Sequence, residues 1–188
     1  MVERWSWLGD PLAVDVANTV QLRGEAYIDL LQTPADLAEW AYRETSRIPA
    51  LLDPVRPDQL THFLRARDSI LALLRSAAGD NTPPQAAVDT LNAILVDRPV
   101  IRLLTPAGEV GDVHLLDRRD PVEDLVAEAA FDAVELLHGP DRDRLKLCLA
   151  PSCGQLYLRH RTNQRWCSDD CGNRARGARH HQRSHLLD

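Results

Sequence analysis

Four cysteines stand together in the last quarter of the chain, Cys148 and Cys153, then Cys167 and Cys171, and there is no other cysteine in the sequence. Two pairs of thiols within one short window are the pattern of a tetrathiolate metal site, and soft sulfur ligands make zinc the expected ion. Four thiolates complete a tetrahedron and leave no open position for water or substrate, so the expected zinc is a single structural Zn2+. Cys148-Leu-Ala-Pro-Ser-Cys153-Gly154 has the makings of a knuckle, with Pro151 and Ser152 bending it and Gly154 free to take a positive φ. Gln155 to Arg159 alternates polar and apolar residues and reads as one strand of a small hairpin, with a turn at Arg161–Gln164 and a return at Arg165–Cys167. Ser168 is placed to cap a helix in which Asp169 and Asp170 complement the macrodipole. Cys167 then falls just before that helix and Cys171 in its first turn, a treble-clef arrangement.

The expected helix runs from Ser168 to roughly Arg183 and carries Arg176, Arg179, His180 and Arg183 at three- and four-residue spacing, a basic ridge. Arg165, Asn173 and Arg174 lie close by, and Arg174 is one turn from both Asp170 and Cys171, within reach of a sulfur, of Asp170 or of a phosphate. The net charge of −6 conceals a division: Arg144–Asp188 carries +6 and Met1–Asp143 carries −12. A four-thiolate zinc site adds a formal −2, leaving the tail near +4, which still suits a polyanion such as double-stranded DNA. Trp166 reads as a plug of the finger's core together with Leu156, Leu158, Ala175 and Ala178.

The elements that must position this tail are mostly helical. N-cap residues followed by proline occur at Asp10-Pro11, Thr33-Pro34, Thr82-Pro83 and Asp120-Pro121, each predicting a helix start. Thr33 has Asp36 three residues on, a carboxylate capping box. The longest helix is expected from Pro57 to Gly79, with Leu60, Phe63, Leu64, Ile70, Leu71 and Leu74 on one stripe and Arg67 at its rim, stem buried and head solvated. Further helices are expected from Pro83 to about Val96 and from Pro121 to His138, the latter stopped by Gly139-Pro140. Pro99–Leu104 and Val110–Leu116 read as a β-hairpin. The fold class is therefore mainly α with a small β-hairpin (α+β), with a boundary at Pro140-Asp141 between a helical domain, 1–140, and a zinc finger, 144–188.

Asp15 and Asn18, three residues apart on the first helix, read equally as the wall of a small-molecule pocket or as partners for buried backbone. His62, His114, His138, His160, His181 and His185 form no second metal-binding pattern. No Ser/His/Asp spacing, glycine-rich phosphate loop or paired-acid pattern supports a catalytic site. No apolar run reaches the length of a membrane span and no signal peptide is recognisable, which points to the cytoplasm and to thiols that bind metal rather than form disulfides.

The Cys-x4-Cys-Gly motif, Arg165-Trp-Cys-Ser-x2-Cys171 and the literal Cys171-Gly172-Asn173-Arg174 resemble the CGNR zinc finger family. Gly9-Asp-Pro-Leu-Ala-Val-Asp15-Val-Ala-Asn-Thr19 and Thr33-Pro-Ala-Asp-Leu-Ala-Glu-Trp40 are similar to the ABATE domain of stress-induced transcription regulators that precedes such fingers. The resemblance implies a bacterial transcription regulator: Cys148, Cys153, Cys167 and Cys171 as ligands, a helix that approaches DNA, and a front domain that senses a small molecule or forms a homodimer. The competing reading is a zinc-stapled module for protein interaction or thiol redox sensing. In place of a lysine after Arg174 the basic tail is built of arginine and histidine, and a guanidinium fork suits phosphates and guanine edges at least as well.

Overall fold

A computed structural model describes residues 5, 8, 10–44, 54–114 and 120–184. Six helices and three two-stranded antiparallel sheets are formed by these residues. Helix α3 (Pro57–Ala78) is the central member, with α1 (Leu12–Ala17), α4 (Gln85–Asp97) and α5 (Pro121–His138) packed against it, and α2 (Pro34–Arg43) at one side. Phe63, Ile70 and Leu74 of α3 are fully buried, as its apolar periodicity requires. Trp40 of α2 meets Phe63 with ring centroids 5.9 Å apart and planes tilted by 55°, the inclined geometry that aromatic quadrupoles favour. Alanines 127, 129, 130 and 133 make the inner face of α5 small enough for α1 and α3 to approach closely.

Thr33 and Asp36 form the expected reciprocal capping box, and Asp120 accepts from the N–H groups of Val122 and Glu123. Two other starts differ from expectation. Asp10 does not cap α1: Pro11 holds that position without a side-chain bond, and the Ala13 N–H is satisfied instead by Asp132 of α5 at 2.8 Å. The α4 helix begins at Gln85, two residues late, because Pro84 disfavours a helical conformation at Pro83.

Helix α1 ends at Ala17, and Val20, four residues after Val16 and so on the same helical period, opens a hairpin that periodicity did not announce. Strands β1 (Val20–Arg23) and β2 (Ala26–Asp29) are joined through Gly24 at φ +65°. Arg67, expected to keep its head in water, is 4% exposed and ties β2 to α3 through a fork onto Asp29, at 2.6 and 2.8 Å, with Asp68 on its other side. Burial acts to lower the Arg67 pKa, but hydrogen bonds to Asp29 and Asp68 outweigh it and the net shift is upward. Strands β3 (Val100–Leu104) and β4 (Val110–His114) form the expected hairpin; its last two expected residues, 115 and 116, lie outside the described residues.

The finger's hairpin has a different partner from the one its sequence proposed. Strand β6 (Leu156–Leu158) pairs with β5 (Leu145–Leu147), in the register Leu145 to Leu158 and Leu147 to Leu156, and Arg165–Cys167 forms no strand. The knuckle itself is the connection between β5 and β6, so the adjacent segment is the nearer partner. Leu145, Leu156 and Leu158 join the core of the helical domain instead of a separate finger core. A short 3-10 turn, Arg142–Arg144, leads into β5.

The Asp120 cap has a pH signature. Burial works against its carboxylate, but the Gln59 amide, the Glu123 and Val122 N–H groups and Arg56 together hold its pKa below the usual aspartate range. A depressed pKa gives stability that is complete above the unfolded value and lost as pH falls through the folded one. Asp120→Ala is expected to cost about 1 kcal/mol at neutral pH, with the difference from wild type closing below about pH 4, measured by urea denaturation across pH. A gap that persists in acid would show that the carboxylate charge is not its source.

Candidate metal centre and nucleic-acid interface

The four cysteine sulfurs all lie within 4.8 Å of one another. Cys153 is 3.6 Å from Cys167 and from Cys171, and Cys167 is 3.4 Å from Cys171. Zinc–sulfur bonds of about 2.3 Å in a tetrahedron place sulfurs roughly 3.8 Å apart, whereas a disulfide brings two to about 2 Å. The donor set therefore fits one zinc ion in both chemistry and spacing, and the cluster holds a single structural zinc. Sulfurs this close cannot all ionise on their own. Hydrogen bonds from the Cys153 and Cys167 thiols hold Cys148 down to about 2, and donating those bonds, more than burial or the Cys148 charge, pushes Cys153 up to about 12 and Cys167 upward as well. A bound dication reverses that repulsion and keeps all four as thiolates.

Each part of the frame has a local cause. The knuckle turns through Ser152 and Gly154, at φ +56° and +64°, with the Gly154 N–H on the Cys148 carbonyl. A Cβ at Gly154 would stand 3.0 Å from that of Leu22, so the knuckle rides directly on β1. Ser168 caps helix α6 (Asp169–Ser184), accepting from the Cys171 N–H, and so holds Cys167 before the helix and Cys171 in its first turn. The residues after Cys171 serve the same frame. Gly172 is buried where a Cβ would lie 3.2 Å from Trp166, so its absence lets the indole rest on the helix. Asn173 accepts from Arg176, and Arg174 donates to the Cys171 sulfur at 2.9 Å. Of the three targets open to Arg174, the structure takes the sulfur.

Two family models match the chain: ABATE, described as "Putative stress-induced transcription regulator", over residues 10–140, and the CGNR zinc finger over residues 144–184. The chain belongs to the ABATE family and carries a CGNR zinc finger. No curated protein matches it by sequence. Both families are regulatory or zinc-finger families and neither is enzymatic, which makes this ABATE protein a zinc-finger regulator in general terms. No helix among the described residues is long and apolar enough to cross a membrane.

The CGNR finger is fastened to the ABATE domain by two side chains from its first helix region. Asn18 donates to the Leu156 carbonyl at 2.9 Å and accepts from the Leu156 N–H at 3.0 Å, acting as one more rung of sheet. Asp10 accepts from the Leu158 N–H at 3.1 Å on the same strand edge. Asn18 is thus in the joint, both ends of its amide engaged, and not in the wall of a ligand pocket. Asp15 is buried on α1, 2% exposed.

The proposed nucleic-acid contacts separate into groups. Arg165 and Arg176 line an open groove of about 720 Å3 between the 160–167 loop and the start of α6, joined there by His160 and by Arg161, the latter at the start of the expected Arg161–Gln164 turn. Asn173 and Arg174 serve the helix and the sulfur. Arg179 donates to the Ala175 carbonyl at 3.2 Å, and His180 is exposed on the same helix. Arg183 falls in the last turn of α6, its side chain outside the described residues. The signal for the missed pair was the run Arg159-His160-Arg161, three basic residues beside a turn.

Two expectations follow. Because β5 and β6 belong to the ABATE core, zinc removal by a chelator or by acid is expected to lower the melting temperature of the whole chain in one cooperative calorimetric transition. A separate finger transition that leaves the main one unmoved would contradict the shared core. Asn18→Ala leaves two buried backbone groups on Leu156 unpaired and is expected to cost about 1–3 kcal/mol with faster amide exchange at Leu156. Exchange there equal to wild type would remove Asn18 from the joint.

Proposed function

We propose that the protein binds double-stranded DNA through the finger, with the groove at the start of α6 as the contact surface and the helical domain as the part that senses a small effector or pairs with a second copy. The observation that carries this reading is the convergence of Arg161, Arg165, Arg176 and His160 on one groove beside a helix N-terminus. Backbone N–H groups at such a terminus and guanidinium forks both suit phosphate oxygens. Trp166 lines the same groove with its indole packed on Gly172, and Asp169 contributes opposing charge at the rim.

The geometry also supports access. Arg174, Arg176, Arg179 and His180 are all exposed, so the basic face is open to solvent despite the −12 carried by the preceding part of the chain. A 16-residue helix spans about 24 Å, enough for a few phosphate contacts. Such a surface binds weakly as one copy, and a second copy linked through the helical domain adds affinity by avidity.

The salt dependence of DNA binding tests this. The slope of log affinity against log salt is expected at about −0.9 for each phosphate neutralised, and Arg161→Ala and Arg165→Ala are each expected to reduce its magnitude by about 1. Cys171→Ser is expected to abolish binding through loss of the metal. A flat salt response of the zinc-loaded wild type would overturn the reading in favour of a protein-interaction module.

A further inference from the structure

A cavity of about 240 Å3 opens between α3, α4 and α5, at the end of the helical domain where the chain turns toward the finger. Leu73, Leu91, Val134 and Leu137 form its walls. Asn81, Asn92 and Arg142 stand among its lining, and of the described residues that line it Arg142 alone is charged. Its neighbour Arg144 is tied to Asp141, whereas no carboxylate among the described residues pairs with Arg142. The Asn81 amide comes to this place because residue 79 is glycine: a Cβ there would lie 2.6 Å from Asn81 Nδ2. An apolar chamber with a few convergent polar groups is the usual form of a small-molecule site, and a lone guanidinium beside amide groups recognises a carboxylate by its two-pronged geometry.

We infer that this cavity binds a small monocarboxylate with a compact apolar body, its carboxylate held by Arg142 with Asn81 and Asn92 beside it. The volume, set against a water's share of about 30 Å3, accommodates roughly eight heavy atoms within it, with room at its open side for the carboxylate on exposed Arg142. A neutral hydrocarbon leaves Arg142 without a partner, and a dianion brings more charge than one guanidinium balances. Position gives the site its use. Arg142 opens the 3-10 turn that leads into β5, and its N–H bonds the Gly139 carbonyl at the end of α5. A carboxylate on Arg142 therefore bears on the segment from which the finger's hairpin starts. The inference rests on the reading of the helical domain as an effector-sensing one and names the chemical class of its effector.

Benzoate and its neutral isostere benzamide test it, titrated into the zinc-loaded full chain while the methyl resonances of Leu73, Leu91, Val134 and Leu137 are followed. Benzoate is expected to shift these methyls saturably. Arg142→Gln is expected to weaken benzoate at least tenfold and leave benzamide unchanged, and Arg142→Lys to fall between. Arg142 is exposed, so these variants retain the fold. No shift at about 10 mM benzoate, equal affinity in wild type and Arg142→Gln, or shifts that map to other methyls would each overturn the inference. DNA binding measured on the same preparation without benzoate separates the two readings. A null titration with DNA binding intact removes this site alone, and benzoate binding without DNA binding leaves the site standing.

Discussion

Three residues of strand β6 hold the molecule together. Leu156, Tyr157 and Leu158 are all buried, and because strand side chains alternate, they serve two cores at once. Leu156 and Leu158 enter the helical core, while Tyr157 turns to the sulfurs and packs with Cys148, Cys153 and Cys171. Burial and then the neighbouring sulfurs push the Tyr157 hydroxyl up to about 12, so it stays neutral beside the thiolates. The strand's backbone is bound on both edges, by β5 on one and by Asn18 and Asp10 on the other. A two-stranded hairpin is marginal alone. Here the metal, the helical core and two polar side chains together stabilise a short strand that a larger sheet would secure with further strands.

The sequence was most legible where a pattern is local. Thiol spacing, the Thr33 and Asp120 caps, the stripe of α3 and the Ser168 cap each depend on residues within a turn or two, and each appears in the structure. It was least legible where a local group serves a distant one. Asp10 stands before a proline as an N-cap would, yet its carboxylate goes to Leu158, 148 residues away in the chain. Arg67 looked like a solvated rim because Asp29 is 38 residues distant. Asn18 had two readings, buried backbone partner or pocket wall, and only the position of Leu156 decides between them. The β1–β2 hairpin escaped because Val20 also satisfied a helical period, and the finger's strand pairing because both flanking segments alternate equally well.

The literal Cys-Gly-Asn-Arg run invites a reading as a recognition surface, but its contacts are made within the finger. Cys171 is a ligand, Gly172 makes room for Trp166, Asn173 fixes Arg176 and Arg174 faces the sulfur. Within one helix turn the signature builds the metal frame, and Arg176, which Asn173 holds, lines the groove beside it. Arg161 and Arg165 come from a loop with no strand to hold it, so their placement depends on the metal on one side and on the Gln164 bonds to His160 and Trp166 on the other.

The charge of the metal centre bears on the same helix. Four thiolates and a zinc dication carry a formal −2 at the root of a helix that presents Arg176, Arg179 and His180 further along. Arg174, donating to Cys171, offsets part of that charge where it arises and strengthens as a hydrogen bond because its acceptor is ionised. Asp169 and Asp170 add negative charge at the same end, where the macrodipole favours it. The result is a gradient along α6, acidic at the metal and basic beyond it, with Arg176 at the crossing and Arg179 and His180 further on.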